Sequence, residues 1–464
     1  MVLDSADYQK PLLHSELAES SLKRTGLPSL SFAFFLDDDD DDDDLISLSF
    51  EGRISIWICY ICPLAMLLFA SVTLLATFLL CNCYRTPDPE YGPGRNRSYL
   101  DAVGVNLGTR NAWACSFLIH IGLYGTAIAY TVTSGISMRA IQKSNCYHEE
   151  GHEAACEFSD TYYMLIFGIV QIVLSQAPDF HNLQSLSVIA AIMSFAYAFI
   201  GFGLGLTKVV GDGYVKGSIT GVSTSTGIEK MWLIFQAIGD IAFAYPYSLI
   251  LIEIQDTLKA PPPENQTMKT ASTIAITITT IFYLLCGGFG YAAFGDNTPG
   301  NLLTGFGFYE PYWLVNLANA CIVIHLVGGF QVYSQPVFFN VEKWLCEMFP
   351  SSEFLNKEFT LKVPLMPALR LNLLRLCFRT VYVVTATAIA MIFPYFNQVL
   401  GTIGAVIFWP LTIYFPVEMY IKQMNIEAWT KKWVLLRIFS FVCCLVTIMA
   451  LVGSIEGLVS AKLS

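Results

Sequence analysis

Residues 235–256 read FQAIGDIAFAYPYSLILIEIQD. The stretch is long and apolar enough to belong to a segment crossing a bilayer core of about 30 Å, yet its middle carries a glycine, a carboxylate and a proline. Gly239 loosens a helix, Asp240 places a carboxyl near mid-membrane, and Pro246 removes a backbone hydrogen bond. Polar and helix-breaking residues at that depth are costly and mark function by default. Together they predict a discontinuous helix, whose half-helix ends expose backbone groups that hold charged substrates and ions in transporters. The plainer alternative is a kinked helix with Asp240 paired to a neighbour.

Working outward, apolar runs of similar length recur along the chain. About ten candidate spans emerge, at 54–80, 113–136, 161–177, 183–206, 231–254, 270–294, 313–338, 373–393, 398–420 and 433–458. Over the 464 residues, 54% are apolar and 14% charged, where a soluble domain carries about a quarter charged residues. The expectation is one all-α polytopic membrane domain over residues 54–458, with an N-terminal tail (1–53) and a short C-terminal tail (459–464). The formal charge of −11 comes mostly from eight consecutive aspartates, Asp37 to Asp44; without them 26 basic residues face 29 acidic ones. That run repels itself too strongly to fold and lacks the spacing of a calcium-binding loop. No basic patch dense enough for nucleic acid is present. There is also no phosphate-cradling loop, no metal-ligand spacing and no triad-like pattern. An enzyme, a resident cofactor and a metal are therefore not expected, and neither is a cleavable signal peptide.

Loop charges set the expected orientation. One alternating set of loops holds Arg85, Arg95, Arg97, Arg110, Lys259, Lys269, Lys343, Lys357, Lys362, Arg370, Lys422, Lys431 and Lys432, whereas the other holds Arg139, Lys143, Lys208, Lys216 and Lys230. The richer set should be cytoplasmic. The loop with Cys146 and Cys156 then faces outward, where oxidising conditions favour a disulfide between them. The sequon Asn265-Gln266-Thr267 falls on the cytoplasmic side and should stay unmodified. Cys59 and Cys62 have redox-motif spacing but sit inside a span, which favours a structural role.

Several further residues are candidates. Asp240 would carry the coupling proton, since burial moves a carboxyl toward neutral titration. Glu253 is a second carboxyl, nearer the cytoplasmic end. His120 and His325 are the histidines inside spans and could relay a proton, although a helix histidine is more often a packing residue. Tyr130 lies in a segment of small and hydroxylated residues that lets helices approach closely, and Gln331 could bond a substrate or a neighbouring helix.

The runs CYRTPDPEYGPGRNRSYLDAV (from Cys83), IFGIVQIVLSQAPDF (from Ile166), FQAIGDIAFAYPYSLILIEIQDT, GYAAFGDNTPGNLLTGFGFY (from Gly290) and FWPLTIYFPVEMYIKQ (from Phe408) resemble the plant amino-acid permeases of the amino acid/auxin permease family. The resemblance extends almost continuously from Trp57 to Gly457. It implies proton-driven amino-acid symport with broad specificity at the plasma membrane, eleven spans, and a five-plus-five inverted-repeat transporter fold. Substrate would sit between the first and sixth family spans. Carried over, Gly239, Asp240, Ala242, Phe243 and Ala244 would line the substrate, joined by Tyr130 and Gln331; Asp240, His325 and Glu253 would be the proton-coupling candidates.

The chain departs from the family at its start. After Lys23-Arg24-Thr25-Gly26, the apolar stretch from Leu27 to Leu36 is too short to span, and family-like sequence resumes near Trp57. The first span, which in the family grips the substrate carboxylate, reads as missing or replaced. With ten spans the N-terminus would lie outside with the C-terminus. Two readings compete: a gene-model artefact in which low-complexity sequence replaces an exon, or a real variant lacking half of its site. The functional alternatives are a non-transporting family member that senses amino acids or binds partners, held in the endoplasmic reticulum if misassembled, and an auxin-type carrier.

Overall fold

The computed structural model describes residues 51–176, 181–217, 227–308, 311–350, 352, 358–361 and 369–463. The aspartate run and the stretch where a first span would be sought lie outside them. Thirteen helices carry the architecture: α1 (Glu51–Cys81), α2 (Tyr99–Leu107), α3 (Thr109–Glu150), α4 (Asp160–Ser175), α5 (His181–Asp212), α6 (Gly227–Phe243), α7 (Leu251–Asp256), α8 (Glu264–Phe294), α9 (Tyr312–Met348), α10 (Leu373–Ile392), α11 (Phe396–Ile407), α12 (Phe415–Gln423) and α13 (Lys431–Leu463). A 3-10 turn, Pro246–Ile250, links α6 to α7, and a π turn, Phe408–Tyr414, links α11 to α12. Two small antiparallel ribbons pair Arg85–Thr86 with Gly94–Arg95 and Glu358–Leu361 with Leu369–Asn372. Among the described residues, nine helical segments are long and apolar enough to cross a membrane, and α4 is a shorter tenth. The chain is a multi-pass membrane protein of about ten spans.

Helix starts follow local capping rules. Ser98 accepts from the Asp101 N–H at the head of α2, and Asn372 accepts from the N–H groups of Leu374 and Arg375 at the head of α10, satisfying amides that have no intrahelical partner. At 1.5 Å per residue α3 is about 60 Å long, twice the bilayer core, so its polar end projects beyond the membrane. There the structure joins Cys146 to Cys156. At the other terminus α13 continues to Leu463, through residues expected to be a tail, with Ser460 donating to Glu456 one turn back.

Helix packing carries the internal repeat. α1 packs on α8, α3 on α9 and α4 on α10. Members of each pair are five crossings apart, so they traverse the bilayer in opposite directions, as an inverted repeat requires. In the same order α5 corresponds to α11–α12. The broken helix α6–α7 has no counterpart among the described residues, and α13 lies beyond the second repeat.

One cluster of charge inside this bundle is paired. Arg379 on α10 donates to Glu342 on α9 at 2.7 Å and to the Ser175 carbonyl that ends α4, also at 2.7 Å, and its guanidinium lies 5.0 Å from the Phe338 ring centre. Arg375 donates to the same Glu342 at 3.1 Å. Three spans are thereby tied at one depth.

The disulfide carries the first prediction. Closing its short loop restricts the unfolded chain and should contribute about 2–3 kcal/mol. Cys146→Ser should lower the thermal midpoint of the detergent-solubilised protein. In the parent chain, maleimide labelling of an outer pair should require prior reduction. Labelling of both thiols without reductant would refute the pairing.

Candidate functional site

The site grows from residues 240–251. The Ala244 N–H still reaches the carbonyls of Asp240 and Ile241, both at 3.1 Å, but Tyr245 (φ −121°, ψ 32°) leaves the helical path and Pro246 has no N–H to continue it. One 3-10 turn follows, Ile250 (φ −122°) breaks the path again, and α7 resumes at Leu251. The span is therefore discontinuous, broken at 244–245 rather than at Gly239. Gly239 stays helical. Its missing side chain serves close packing instead: a Cβ there would lie 2.6 Å from Ser454 Oγ of α13 and 2.7 Å from the Gly401 carbonyl of α11.

At the break a freed carbonyl has a partner. Tyr283 of α8 donates its hydroxyl to Ala244 O at 3.1 Å, and Tyr245 bonds Thr280 at 2.9 Å while its ring meets Tyr283 edge-on. Tyr197 of α5, Tyr130 of α3 and Tyr333 of α9 lie near enough to Tyr283 to act on it electrostatically, and Tyr130 and Tyr333 meet edge-on at 5.9 Å. Toward the disulfide end, a cavity of about 80 Å³ is lined by Thr133, Tyr197, Cys286, Asn301, Leu302 and Phe396 among others. Tyr197 is on the cavity wall, whereas no described residue of α6 or α7 is. The other half is closed. Thr77 bonds Tyr247 at 2.6 Å, Ser248 bonds Thr412 at 2.9 Å, Tyr84 donates to Asp256 at 2.6 Å, and Glu264 forms a two-point pair with Arg85. Tyr99 donates to the Leu411 carbonyl within the π turn at 2.6 Å.

The residues picked from sequence scatter around this centre. Ala242 and Phe243 end α6 and are buried, with Phe243 packed among Ala129, Leu400 and Phe396. Ala244 supplies the carbonyl just described. Gly239 and Asp240 turn toward α11 and α13, away from the cavity: a Cβ on Gly401 would meet the Asp240 carboxylate at 2.9 Å. Gln331 is engaged with α4, donating to Gln171 Oε1 at 2.7 Å and to Ser175 Oγ at 3.1 Å. His325 binds α5 through Nδ1, near Ser194 Oγ at 2.8 Å and Ala190 O at 2.9 Å. Glu253 sits at the head of α2, accepting the Tyr99 N–H at 3.1 Å. His120 is turned back on its own helix, with Nδ1 2.6 Å from the Ser116 carbonyl. The three proton-coupling candidates thus lie in three separate places, and none of the seven substrate candidates is on the wall of this cavity.

Sequence reasoning missed Tyr197, Tyr245, Tyr283, Tyr333 and Ser454. A tyrosine in an apolar run carries no signal by itself. The spacing of Gly401 with Ala405, and of Gly453 with Gly457, is the small-residue signature of close helix contact and would have led to the face of α6 that holds Gly239 and Asp240.

The Tyr283 contact is directly testable. Tyr283→Phe keeps the ring and orphans the Ala244 carbonyl, at a cost of about 1–3 kcal/mol. Because the break is the least supported part of the span, the cost should appear as weaker ligand binding more than as lost folding. The check is calorimetric titration beside a melting curve. A melt that falls while binding stays intact would assign Tyr283 to packing alone.

A family described as transmembrane amino acid transporter protein matches residues 60–460. Among curated relatives, probable amino acid permease 7 of Arabidopsis thaliana is 56% identical over 404 residues, covering 86% of each chain. Amino acid permease 3 of the same plant is 53% identical over 397 residues, covering 85% of this chain and 83% of its own.

Proposed function

The chain belongs to the transmembrane amino acid transporter family, as a plant amino acid permease, and from that premise we propose that it is a proton-coupled symporter importing amino acids across the plasma membrane with broad specificity. The observation that carries the reading is the broken span α6–α7, interrupted at 244–245 where the Tyr283 hydroxyl meets the freed Ala244 carbonyl. A zwitterion needs two opposite charges recognised at once. The C-terminal end of α6, seventeen residues long, presents the negative end of a helix dipole, which suits the ammonium group. Tyr283 and Tyr245 offer hydroxyls at the break. In the family arrangement the carboxylate is held by a first span, and residues 1–50 lie outside the described part of the chain. Gly239, Asp240, Ala242, Phe243, Ala244, Tyr130 and Gln331 are proposed to shape the site, the first two and Gln331 by positioning helices. Asp240 is the favoured proton carrier, because it lies in the middle of the broken span, whereas Glu253 is engaged at the head of α2 and His325 with α5.

The test is uptake of radiolabelled neutral and acidic amino acids in permease-deficient cells at roughly pH 5 and roughly pH 8, between which a buried carboxyl changes protonation. Surface expression is measured alongside. The chain as given is compared with one whose residues 27–56 are replaced by a family-type first span. Acid-stimulated uptake by either chain supports the reading. Absence of uptake by both, with normal surface levels, overturns it and favours a sensing or partner-binding role.

A further inference from the structure

We propose that the turn between α12 and α13, with the first residues of α13, is a docking site for anionic phospholipid headgroups of the cytoplasmic leaflet. Lys431 and Lys432 supply the charge, and Trp429 supplies an interfacial anchor. The inference is independent of the symport reading and holds for any cargo.

The depth of this site in the bilayer follows from α13. Leu435, Ile438, Val442, Leu445 and Met449 are all exposed, at spacings of three and four that place them on one face of the helix. An exposed apolar stripe of this length on a membrane-spanning helix faces lipid. Lys431 stands four residues before Leu435 and seven before Ile438, so it continues the same stripe. It lies about 6 Å farther along the axis than Leu435, at the level where a long cation reaches from hydrocarbon to headgroup.

The turn before it holds an aromatic side chain near that level. Trp429 is 82% exposed and has a φ of 67°, a left-handed conformation that is rare and costly for a bulky residue. Its ring meets that of Trp433 at 5.4 Å. Packing within the chain does not offset the backbone cost, because the indole is mostly uncovered. A bilayer interface does, since an indole is apolar at one end and polar at the other.

The patch is positive. Arg437 is neutralised by Glu418 and lies 5.2 Å from the Trp433 ring centre. That leaves three lysines, Lys422, Lys431 and Lys432, against the one carboxylate of Glu427. Lys432 donates to the Tyr420 hydroxyl at 2.9 Å and sits 4.8 Å from that ring's centre, so it is held beside α12 with its charge uncancelled. Gln423, which ends α12, donates to the carbonyls of Asn82 and Arg85 at 2.9 and 2.7 Å. The patch is therefore at the end of the bundle that carries Arg85, Arg95 and Arg97. Loop charge places that end in the cytoplasm, where the leaflet is negatively charged. Charge complementarity selects an anionic headgroup over a zwitterionic one, and the Gln423 bonds join the patch to the closed cytoplasmic half.

The experiment uses the full chain in phosphatidylcholine vesicles doped with photoactivatable phosphatidylserine or, separately, photoactivatable phosphatidylcholine. Adducts are mapped to residues 422–437. Phosphatidylserine adducts should exceed phosphatidylcholine adducts there at least fivefold. Lys431→Gln and Lys432→Gln should each lower the phosphatidylserine yield about fivefold. Trp429→Ser should lower both yields alike, and Lys343→Gln, on α9 at the same end, should change neither. In the parent, raising salt from about 0.1 M to about 1 M should suppress phosphatidylserine adducts selectively. Added phosphatidylserine should also raise the melting midpoint of the parent in detergent, and not that of the double lysine variant. Equal yields from the two lipids in the parent, or a phosphatidylserine yield untouched in the lysine variants, overturns the proposal. A loss in Lys343→Gln as large as in Lys431→Gln overturns it too, because the attraction then belongs to the whole end of the bundle. Competition by water-soluble glycerophosphoserine replaces the lipid with a soluble phosphate ester and overturns the assignment. Should a lysine variant lose its monodisperse size-exclusion peak, the lipid preference of the parent and its salt dependence decide.

Discussion

Gly404→Leu should abolish uptake and leave little monodisperse protein after size-exclusion chromatography, whereas Gly288→Ala should leave both intact. The two glycines lie in helices of similar apolar character but meet different surroundings. Around a Cβ on Gly288 there is open space to 4 Å; a Cβ on Gly404 would stand 2.5 Å from the Phe243 nitrogen and 2.8 Å from the Phe243 Cβ. Those atoms belong to or adjoin the backbone of α6 and cannot swing aside as the tip of a side chain can. Overpacking costs about 1–3 kcal/mol where side chains can adjust, and here a whole helix must move. Lipid provides no hydrophobic force to push the helices back together, because association in a bilayer depends on close van der Waals contact. Displacing α6 would also shift the break at 244–245, so uptake should fall by more than tenfold even where some folded protein survives. At Gly288 alanine should give a small gain, about 0.4–1 kcal/mol, by restricting the unfolded chain. Equal behaviour of the two variants would show that α11 and α6 do not pack as closely as these distances require.

The two glycines also show how far sequence could be read. The spans were legible because apolar runs longer than about 20 residues have few other uses. The break was legible because a proline without an N–H acts on its own helix, whatever surrounds it. Gly239 illustrates the boundary. Read alone it loosens a helix; in the structure it keeps a regular helix close to α11 and α13, and that role is set by Gly401 and Ser454, more than 150 positions along the chain. Gln331 is similar. Its position in a polar cluster suggested either a ligand or a helix contact, and its bonds to Gln171 and Ser175 depend on which helix faces it. Tyr283 and Ser454 gave no signal, since an uncharged residue in a span is ordinary until its partner is known. The pairing of Cys146 with Cys156 needed only a short loop on one side of the membrane.

Glu342→Ala should be the most damaging single change to folding, and more damaging than Arg379→Ala. Glu342 is the acceptor for two guanidinium groups, from Arg375 and from the nearly inaccessible Arg379. Without it Arg379 keeps the Ser175 carbonyl and the Phe338 ring but no counter-charge, inside a span. Breaking a buried pair by deleting one partner costs about 3–5 kcal/mol. Arg379→Ala should cost less, because Arg375 still neutralises Glu342 from a position that is 36% exposed and can stay hydrated. A double variant, Glu342→Leu with Arg379→Met, separates charge from packing. If the cluster matters because a lone buried charge is intolerable, the double variant should recover most of the stability lost in Glu342→Ala, since well-packed apolar replacements of a buried pair are often neutral. If it matters because the bonds themselves fix α4, α9 and α10 at one depth, the double variant should stay as unstable as the single one. Melting curves of the three variants in one detergent decide between them. The first outcome is expected: Arg379 lies two turns inside α10 with a ring beneath it, a place where methionine would pack and an unpaired guanidinium would not.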